Sequence, residues 1–248
     1  MCRNERKTKI IYEDNGILVC RKPAGLAVQT AAGYQSDMVS ELKNYLSRMT
    51  GEKNPYLGVV HRLDQPVEGL LVFARSKRAA ASLSKQLTEG RLNKKYLAVL
   101  ARIPEEMEGQ RVDYLKKDSR TNRALVVPER DQEGKRAELF YRVVEEREPY
   151  ALAEIEIRTG RFHQIRVQMA HMGCPLSGDR KYGKTEDGSE KGIIGHQGIG
   201  LTDSGLALCA NELSFENPLT GKRQQFAVRP ENAAFARFTY KMMETAGY

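Results

Sequence analysis

Short runs of β-branched and aliphatic residues recur along this chain of 248 residues, separated by breakers that contain Gly, Pro or Asn. Residues 152–158 alternate apolar and charged side chains, as a strand with one buried face does. Residues 10–12 and 17–20 flank a turn that ends in Gly16, which predicts a hairpin. Further strand signals lie at residues 95–100, 123–127, 139–144, 206–208, 213–215 and 225–228. These patterns predict one α+β domain over residues 1–248, with a mixed, mostly antiparallel sheet and flanking helices.

Helical periodicity is confined to four segments. The first begins at Ser36 as N-cap and ends before Gly51, and the second runs from Ser76 as N-cap to Gly90. The third covers residues 162–172. Its predicted buried stripe consists of Phe162, Ile165, Met169 and Met172. A closing helix is predicted from Ala233 to Met243.

The charge balance favours a polyanionic partner. Lys and Arg number 40 against 32 Asp and Glu, which gives a net charge of +8. Acidic residues are plentiful as well, so the excess predicts a basic face on a globular protein and not a basic tail. An ordinary soluble protein with a basic surface is the alternative interpretation.

Cysteine and histidine spacing gives no sign of a metal centre. The four cysteines form no C-x-x-C pair, so neither a zinc ribbon nor a disulfide framework is indicated. The four histidines fit no metal-ligand spacing. The charged start leads straight into a strand signal, and no apolar stretch approaches the roughly 18 residues of a membrane span. We therefore expect a reduced, cytoplasmic protein without a signal peptide, a membrane segment or a bound metal.

Asp64 is the predicted chemical centre. It lies in a short polar break between the apolar runs 59–60 and 69–74, which predicts a strand, a loop and a second strand. Arg62 precedes it by two residues, and a nearby cation favours the ionised carboxylate, which is fit to act as nucleophile or base. A simple surface ion pair between Arg62 and Asp64 is the alternative.

Tyr96 follows the basic run 91–95 within a predicted strand. An aromatic ring beside cations can stack on a base while the cations hold phosphates. The alternative is an ordinary strand tyrosine whose ring faces the core and whose hydroxyl meets water.

Three arginines open the third predicted helix, within residues 158–166. Arg166 borders the buried stripe, and an unpaired buried charge costs several kcal/mol, so Arg166 should be paired. We expect Asp64 to be its partner. The alternative is a solvated helix face that binds phosphates nonspecifically.

Two further basic clusters and one glycine-rich segment are weaker indications of nucleic-acid or phosphate binding. The clusters could follow a nucleic-acid backbone, although ordinary surface charge also explains them. They consist of Lys116, Lys117, Arg120 and Arg123, and of Arg180, Lys181 and Lys184. The segment 184–205 is polar and glycine-rich, but no strand enters it, no helix leaves it and no Gly-Lys-Ser/Thr follows. We therefore predict a mobile surface loop rather than a phosphate-binding loop.

Several ordered motifs resemble the RluA-type pseudouridine synthase family, over roughly residues 8–230. The main ones are His61-Arg62-Leu63-Asp64 with Gly69-Leu70-Leu71, Lys95-Tyr96-Leu97-Ala98, and Arg158-Thr159-Gly160-Arg161-Phe162-His163-Gln164-Ile165-Arg166-Val167. Supporting matches are Glu13-Asp14, Lys22-Pro23-Ala24-Gly25, Gly178-Asp179 with Tyr182-Gly183, and Leu206, Leu208 and Ala210 ahead of Pro218-Leu219-Thr220-Gly221.

The resemblance implies that uridine in RNA is isomerised to pseudouridine without cofactor or metal. The N1–C1′ bond breaks, the uracil turns over, and C5 is joined to C1′. Asp64 would be the catalytic aspartate, whether it attacks C1′, adds to C6 or removes the 2′ proton. Tyr96 would lie against the base and assist removal of the C5 proton, and Arg166 would pair with Asp64.

The resemblance also implies contacts to the RNA substrate. Ile165 would line the base pocket and Arg62 would contact RNA near the extruded nucleotide, as base-extruding chemistry requires. His61, Arg161 and His163 complete the predicted substrate-binding set. The partner would be ribosomal or transfer RNA, and the protein would act as a monomer.

The chain departs from the family pattern at three places. Residues 65–68 replace a polar pair, Cys209 stands where a histidine is expected, and no S4-type RNA-binding segment is expected before the first strand.

Two rival functions remain open at the level of sequence. A non-catalytic RNA-binding or ribosome-assembly protein is disfavoured by the presence of Asp64, Tyr96 and Arg166 together. A metal-dependent nuclease or other hydrolase is disfavoured because neither a second carboxylate near Asp64 nor a histidine cluster is evident.

Overall fold

A computed structural model describes residues 8–30, 36–183 and 205–240. The strands are β1 (Lys9–Glu13), β2 (Ile17–Lys22), β3 (Gly58–Val59), β4 (Glu68–Ala74), β5 (Asn93–Leu100), β6 (Glu108–Asp118), β7 (Arg123–Val127), β8 (Lys135–Arg147), β9 (Tyr150–Ile157), β10 (Leu208–Glu216) and β11 (Arg223–Ala227). The helices are α1 (Met38–Thr50), α2 (Lys77–Thr88), α3 (Gln164–His171) and a short 3₁₀ helix (Ala233–Arg237). The α+β fold with a mostly antiparallel sheet is confirmed.

Two compact units alternate along the chain. The first comprises residues up to 94 together with 210–230, and the second comprises residues 95–209 and 231–242, within the described ranges. The prediction of a single domain stays a prediction.

The first unit is built around β4. This strand lies between β2 and β10, and every one of its seven residues is buried. β2 pairs antiparallel with β1 and β4, β3 with β4, and β11 with β10. Apolar side chains of β2 and β4 pack with Leu83 of α2 and with Phe215 and Phe226 of β10 and β11. Burial of this cluster fixes the strand that follows the Asp64 loop.

Local capping sets the ends of the two helices in this unit. The Ser76 side chain accepts a hydrogen bond from Ala79 N and caps α2, which confirms the predicted start. The predicted N-cap of α1 is wrong by one residue: the Asp37 carboxylate, and not Ser36, accepts from Ser40 N at 2.7 Å. Gly51 ends α1 at φ 76, as predicted, because glycine adopts this left-handed conformation without strain.

The second unit contains an antiparallel sheet with the strand order β5, β9, β8, β6, β7. Leu97, Val99 and Leu152 pack with side chains of the 3₁₀ helix and the residues after it. The predicted closing helix from Ala233 is wrong in type, because this segment is a 3₁₀ helix that ends at Arg237, with Phe238 extended. Residues 241–243 of that prediction lie outside the described residues, as does segment 184–204 of the predicted glycine-rich loop.

The third predicted helix is shorter than expected, and its pattern of burial is different. α3 has eight residues, and Gln164, Arg166 and Gln168 are buried alongside the apolar ones. Gln164 donates to Glu138 O and accepts from Thr159 Oγ1, and Gln168 donates to the Asp113 carboxylate. Phe162 and Met172 lie outside the helix and are only half-buried. The predicted stripe was therefore right for Ile165 and Met169 and wrong for Phe162 and Met172, because hydrogen bonds to distant residues allow Gln164 and Gln168 to be buried.

Candidate active site

Asp64 occupies the turn between β3 and β4. The backbone closes this turn with a hydrogen bond of 3.0 Å from Val67 N to Asp64 O. Leu63 and Val67 are buried and anchor the turn, whereas Asp64 itself is half-buried. The predicted strand, loop and strand are confirmed, and the carboxylate lies where buried structure meets solvent.

Lys22 fastens this turn to the end of β2. Its side chain is fully buried, and Nζ donates to three carbonyl oxygens, Pro23 O at 3.0 Å, Leu26 O at 2.6 Å and Gln65 O at 2.8 Å. Gly25 N donates to the same Gln65 oxygen at 2.8 Å. The residue that follows Asp64 is therefore tied to the 23–26 turn by a buried cation.

Burial disfavours the protonated form of Lys22, whereas its acidic neighbours favour that form. Burial lowers the pKa of Lys22 to about 7, while the negative charges of Asp64 and Glu68 act in the opposite direction. Arg62, the cation expected beside Asp64, is exposed and makes no ion pair with any residue in the described part of the chain. Lys22 is thus a cation of the first unit that interacts electrostatically with Asp64.

Gly69 allows close packing next to the Asp64 turn. Its φ is +126°, and a Cβ at this position would lie 2.4 Å from Ala210 O and 2.5 Å from Ala210 N. Any larger residue would push the backbone of β10 away from β4. This explains in physical terms why glycine begins the apolar run after Asp64.

His61 is a buried part of the same loop. Its Nε2 accepts a hydrogen bond from Val72 N at 3.3 Å, and burial holds its pKa well below the ordinary value, so the ring is neutral. Its Nδ1 has no hydrogen-bond partner among the described residues. Substrate contact by His61 and Arg62 stays a prediction.

Tyr96 lies in β5 of the second unit and is 5% exposed. It is opposite Ile155 in the register between β5 and β9. The ring is thus held by the sheet, and its predicted contact with a base stays a prediction.

Arg166 is buried and paired, as its position in the sequence required. Its Nε and Nη2 donate to the two carboxylate oxygens of Asp179 at 2.8 and 2.7 Å. The two side chains are 5% and 0% exposed. A bidentate pair of this kind fixes the guanidinium in one orientation. The additional pairing of Arg166 with Asp64 stays a prediction.

Further predicted site residues lie just before α3 and within it. His163 adopts φ 52 at the start of the helix, its ring stacks on Phe162, and its Nδ1 lies 2.8 Å from Tyr182 Oη. Ile165 is buried, whereas Arg161 is exposed and donates from Nε to Arg136 O. The second unit therefore brings Arg166, Ile165 and His163 together, and their contacts with substrate stay predictions.

Two structural partners were missed by the sequence analysis. Lys22 and Asp179 each hold a candidate catalytic segment in place, yet neither was assigned a role. The available signal was their presence in the short motifs Lys22-Pro23 and Gly178-Asp179.

Other kinds of site find no support within the described ranges. No group of three or more His, Cys, Asp or Glu side chains in residues 8–30, 36–183 and 205–240 could hold a metal ion. In the same ranges no helix is both long and apolar enough to cross a membrane. Cys20, Cys174 and Cys209 are buried, and none of the three is in a disulfide.

We expect Lys22→Met to destabilise the protein, with a dependence on pH. The change leaves buried carbonyl oxygens without a donor, which should cost on the order of 3 kcal/mol. Because burial lowers the folded-state pKa of Lys22 from 10.5 to about 7, the unfolded chain binds more protons between these values. Wild-type stability should therefore rise with pH across this window, and the variant should lack that rise.

Urea denaturation from pH 7 to pH 10 measures the difference in the free energy of unfolding between wild type and Lys22→Met. It should grow as pH increases. A difference that stays constant over the window would show that Lys22 does not titrate there.

Comparison with known proteins identifies the family. A family model described as RNA pseudouridylate synthase matches residues 16–171. The chain is 34% identical over 230 residues to an uncharacterized RNA pseudouridine synthase, YlyB, of Bacillus subtilis strain 168, spanning 91% of this chain and 70% of that protein. It is 35% identical over 225 residues to the ribosomal large subunit pseudouridine synthase D of Zymomonas mobilis, spanning 88% of this chain and 68% of that protein.

A solved structure shares the fold. Human RNA pseudouridylate synthase domain containing 4 superimposes with a TM-score of 0.75 at 22% identity, over 94% of both chains. The family match and the sequence relatives lead to one conclusion: the chain belongs to the RluA-type family of RNA pseudouridine synthases, which are isomerases that act on RNA.

Proposed function

We propose that the protein converts specific uridines of structured RNA to pseudouridine, with Asp64 as the catalytic group and without cofactor or metal. The observation that carries this proposal is the Asp64 turn, which lies inside the family match and presents a half-buried carboxylate. Lys22 holds the turn through Gln65 O.

Ribosomal RNA is the favoured substrate and transfer RNA is the second possibility. The support comes from the names of relatives, since the Zymomonas mobilis protein is called a ribosomal large subunit pseudouridine synthase. Another relative, from Buchnera aphidicola, is named ribosomal large subunit pseudouridine synthase C and is 34% identical over 175 residues.

The proposed reaction is an isomerisation that needs no external reactant. The N1–C1′ bond breaks, the C5–C1′ bond forms, C5 loses a proton, and N1 of the rotated base gains one. Asp64 would attack C1′, add to C6 or remove the 2′ proton. Tyr96 would lie against the base and assist removal of the C5 proton, and Arg166 would hold Asp64 ionised.

The target base must leave its stack before these atoms become accessible. In our proposal Ile165 lines the pocket that receives the base, and Arg62 contacts the RNA near the extruded nucleotide. Arg62 is exposed and therefore open to such a contact. His61, Arg161 and His163 complete the proposed substrate-binding set, and the rings of both histidines are neutral and hydrogen-bonded inside the protein.

Mapping pseudouridines in total RNA from cells with and without the gene tests this function. We expect one or a few uridines of ribosomal or transfer RNA to lose modification, and the wild-type gene to restore it. The Asp64→Asn gene should fail to do so. An unchanged map would contradict the proposal, and restoration by Asp64→Asn would favour the non-catalytic assembly role.

A further inference from the structure

The second unit brings together two basic clusters that are separate in the sequence. The tip of the β6–β7 hairpin meets the 178–183 turn, where Lys181 Nζ donates to Asn122 O at 2.7 Å. Tyr182 Oη accepts a hydrogen bond from Ala124 N at 2.7 Å and secures the same contact. We call the resulting basic area the hairpin surface. It consists of Lys117, Arg120, Arg180 and Lys181, whereas Arg123 is opposite Asp118 in the strand register and lies on the other face of the hairpin.

The turn beneath this surface is rigidly held. The Asp179 carboxylate accepts hydrogen bonds from Lys181 N at 2.9 Å and from Tyr182 N at 3.2 Å, in addition to its pair with Arg166. Tyr182 Oη also lies 2.8 Å from His163 Nδ1. The cations are therefore presented on an ordered support.

Three cations of the hairpin surface are not engaged in ion pairs with the described residues. Lys117, Arg120 and Arg180 make no ion pair with any residue in the part of the chain that the structure describes. The nearby Asp118 carboxylate accepts from Thr121 Oγ1, Arg120 N and Thr121 N, and these hydrogen bonds, with a smaller contribution from the positive charge of Arg120, lower its pKa.

Other cations of the same sheet form ion pairs, in contrast to those of the hairpin surface. Arg142 binds Glu154 at 2.8 Å, Arg147 binds Glu145 at 3.0 Å, and Arg136 binds Glu138. Neighbouring residues of a strand point to opposite faces. Lys116 accordingly pairs with Glu133, while Lys117 lies on the hairpin surface with its Nζ 4.7 Å from the centre of the Phe162 ring.

The titration of His163 agrees with a positive potential in this area. Burial and the positive charges of Arg166, Lys181 and Lys117 lower its pKa to about 3, and only Asp179 acts against them. The ring is therefore neutral, and positive charge dominates its surroundings.

The aromatic groups of this area are engaged within the protein. The Phe162 ring stacks on His163 with centroids 3.8 Å apart and lies under Lys117 Nζ. Tyr182 is occupied by its hydrogen bonds and by Arg166, whose guanidinium lies 5.2 Å from the ring centre. The surface thus offers cations to a ligand, but it offers no free ring for a base to stack on.

We propose that the hairpin surface binds phosphate groups of the RNA backbone. It would raise affinity and position the RNA without reading its sequence. The choice of RNA rests on the proposed function. The hairpin tip, residues 119–122, contains only polar side chains, which favours RNA over a membrane surface because nothing there can insert into a bilayer.

The test compares two triple variants that remove the same net charge. Lys117→Gln/Arg120→Gln/Arg180→Gln alters the hairpin surface, and Arg136→Gln/Arg142→Gln/Arg147→Gln alters the paired cations of β8. Affinity for a transcript of large-subunit ribosomal RNA is measured against salt concentration. Single-turnover tritium release at saturating RNA is measured in parallel.

The hairpin variant should bind at least about tenfold more weakly near physiological salt, and its salt slope should fall by about 2–3, as expected for three lost phosphate contacts. Its single-turnover rate at saturating RNA should stay within about threefold of wild type, and the β8 variant should resemble wild type in both assays. Equal affinity and slope for the two variants would overturn the inference. So would wild-type binding to phosphatidylglycerol vesicles without binding to RNA.

Failure of the proposed function has a different signature. If wild type releases no tritium while the hairpin variant still loses RNA affinity and salt dependence, the surface inference stands and the catalytic assignment falls. If wild type is active and the two variants bind RNA alike, the catalytic assignment stands and the surface inference falls.

Discussion

Asp64→Asn should lower pseudouridine formation by at least about 10⁴-fold, because it removes the only charge of the proposed catalytic group. The fold should survive, since Asp64 is half-buried and the turn is held by main-chain atoms, through Val67 N on Asp64 O and Lys22 Nζ on Gln65 O. RNA affinity should stay close to that of wild type.

Tritium release from RNA that contains [5-³H]uridine measures the chemical step, and a binding titration measures affinity. Thermal denaturation checks the fold. Glu52→Gln is a suitable control because it neutralises an exposed carboxylate of the same unit and should leave the rate unchanged. Appreciable turnover by Asp64→Asn would rule out Asp64 as the catalytic group.

Tyr96→Phe should lower the single-turnover rate by about 10²–10⁴-fold, the range typical of a lost acid–base group. The reaction should stall after the glycosidic bond has broken, because the hydroxyl is proposed to assist removal of the C5 proton. The ring itself should stay in place, since it is buried in β5 and phenylalanine has nearly the same shape.

Rapid-quench single-turnover kinetics with wild type and Tyr96→Phe separates the two roles of the ring. Tyr150→Phe provides a control in the same unit and removes a hydroxyl from a half-buried ring. A rate for Tyr96→Phe within a few-fold of wild type would leave stacking as its role and exclude proton transfer.

Much of the fold followed from local patterns that depend on few residues. The hairpin of β1 and β2, the Asp64 loop and the strand at 123–127 match their predicted positions, because alternation and turn residues suffice to define them. The N-cap at Ser76 was equally local. These features need no knowledge of distant parts of the chain.

The misreadings arose where distant residues decide the outcome. Gln164 and Gln168 are buried in α3 because Glu138 O and Asp113 accept their hydrogen bonds, and no pattern within the helix reveals this. Arg166 was correctly expected to be paired, but its partner Asp179 lies 13 residues away and could not be identified from spacing. The role of Lys22 was equally hidden, because its hydrogen-bond acceptors Leu26 O and Gln65 O are main-chain atoms that no side-chain pattern reveals.

The catalytic proposal is tested most directly with purified wild-type protein, EDTA, and transcripts of ribosomal and transfer RNA that contain [5-³H]uridine. Both tritium release and the nucleoside content of the digested RNA are followed. We predict one tritium released for each pseudouridine formed, at one or a few positions, with EDTA present throughout. RNA that is bound but releases no tritium and yields no pseudouridine would contradict the assignment.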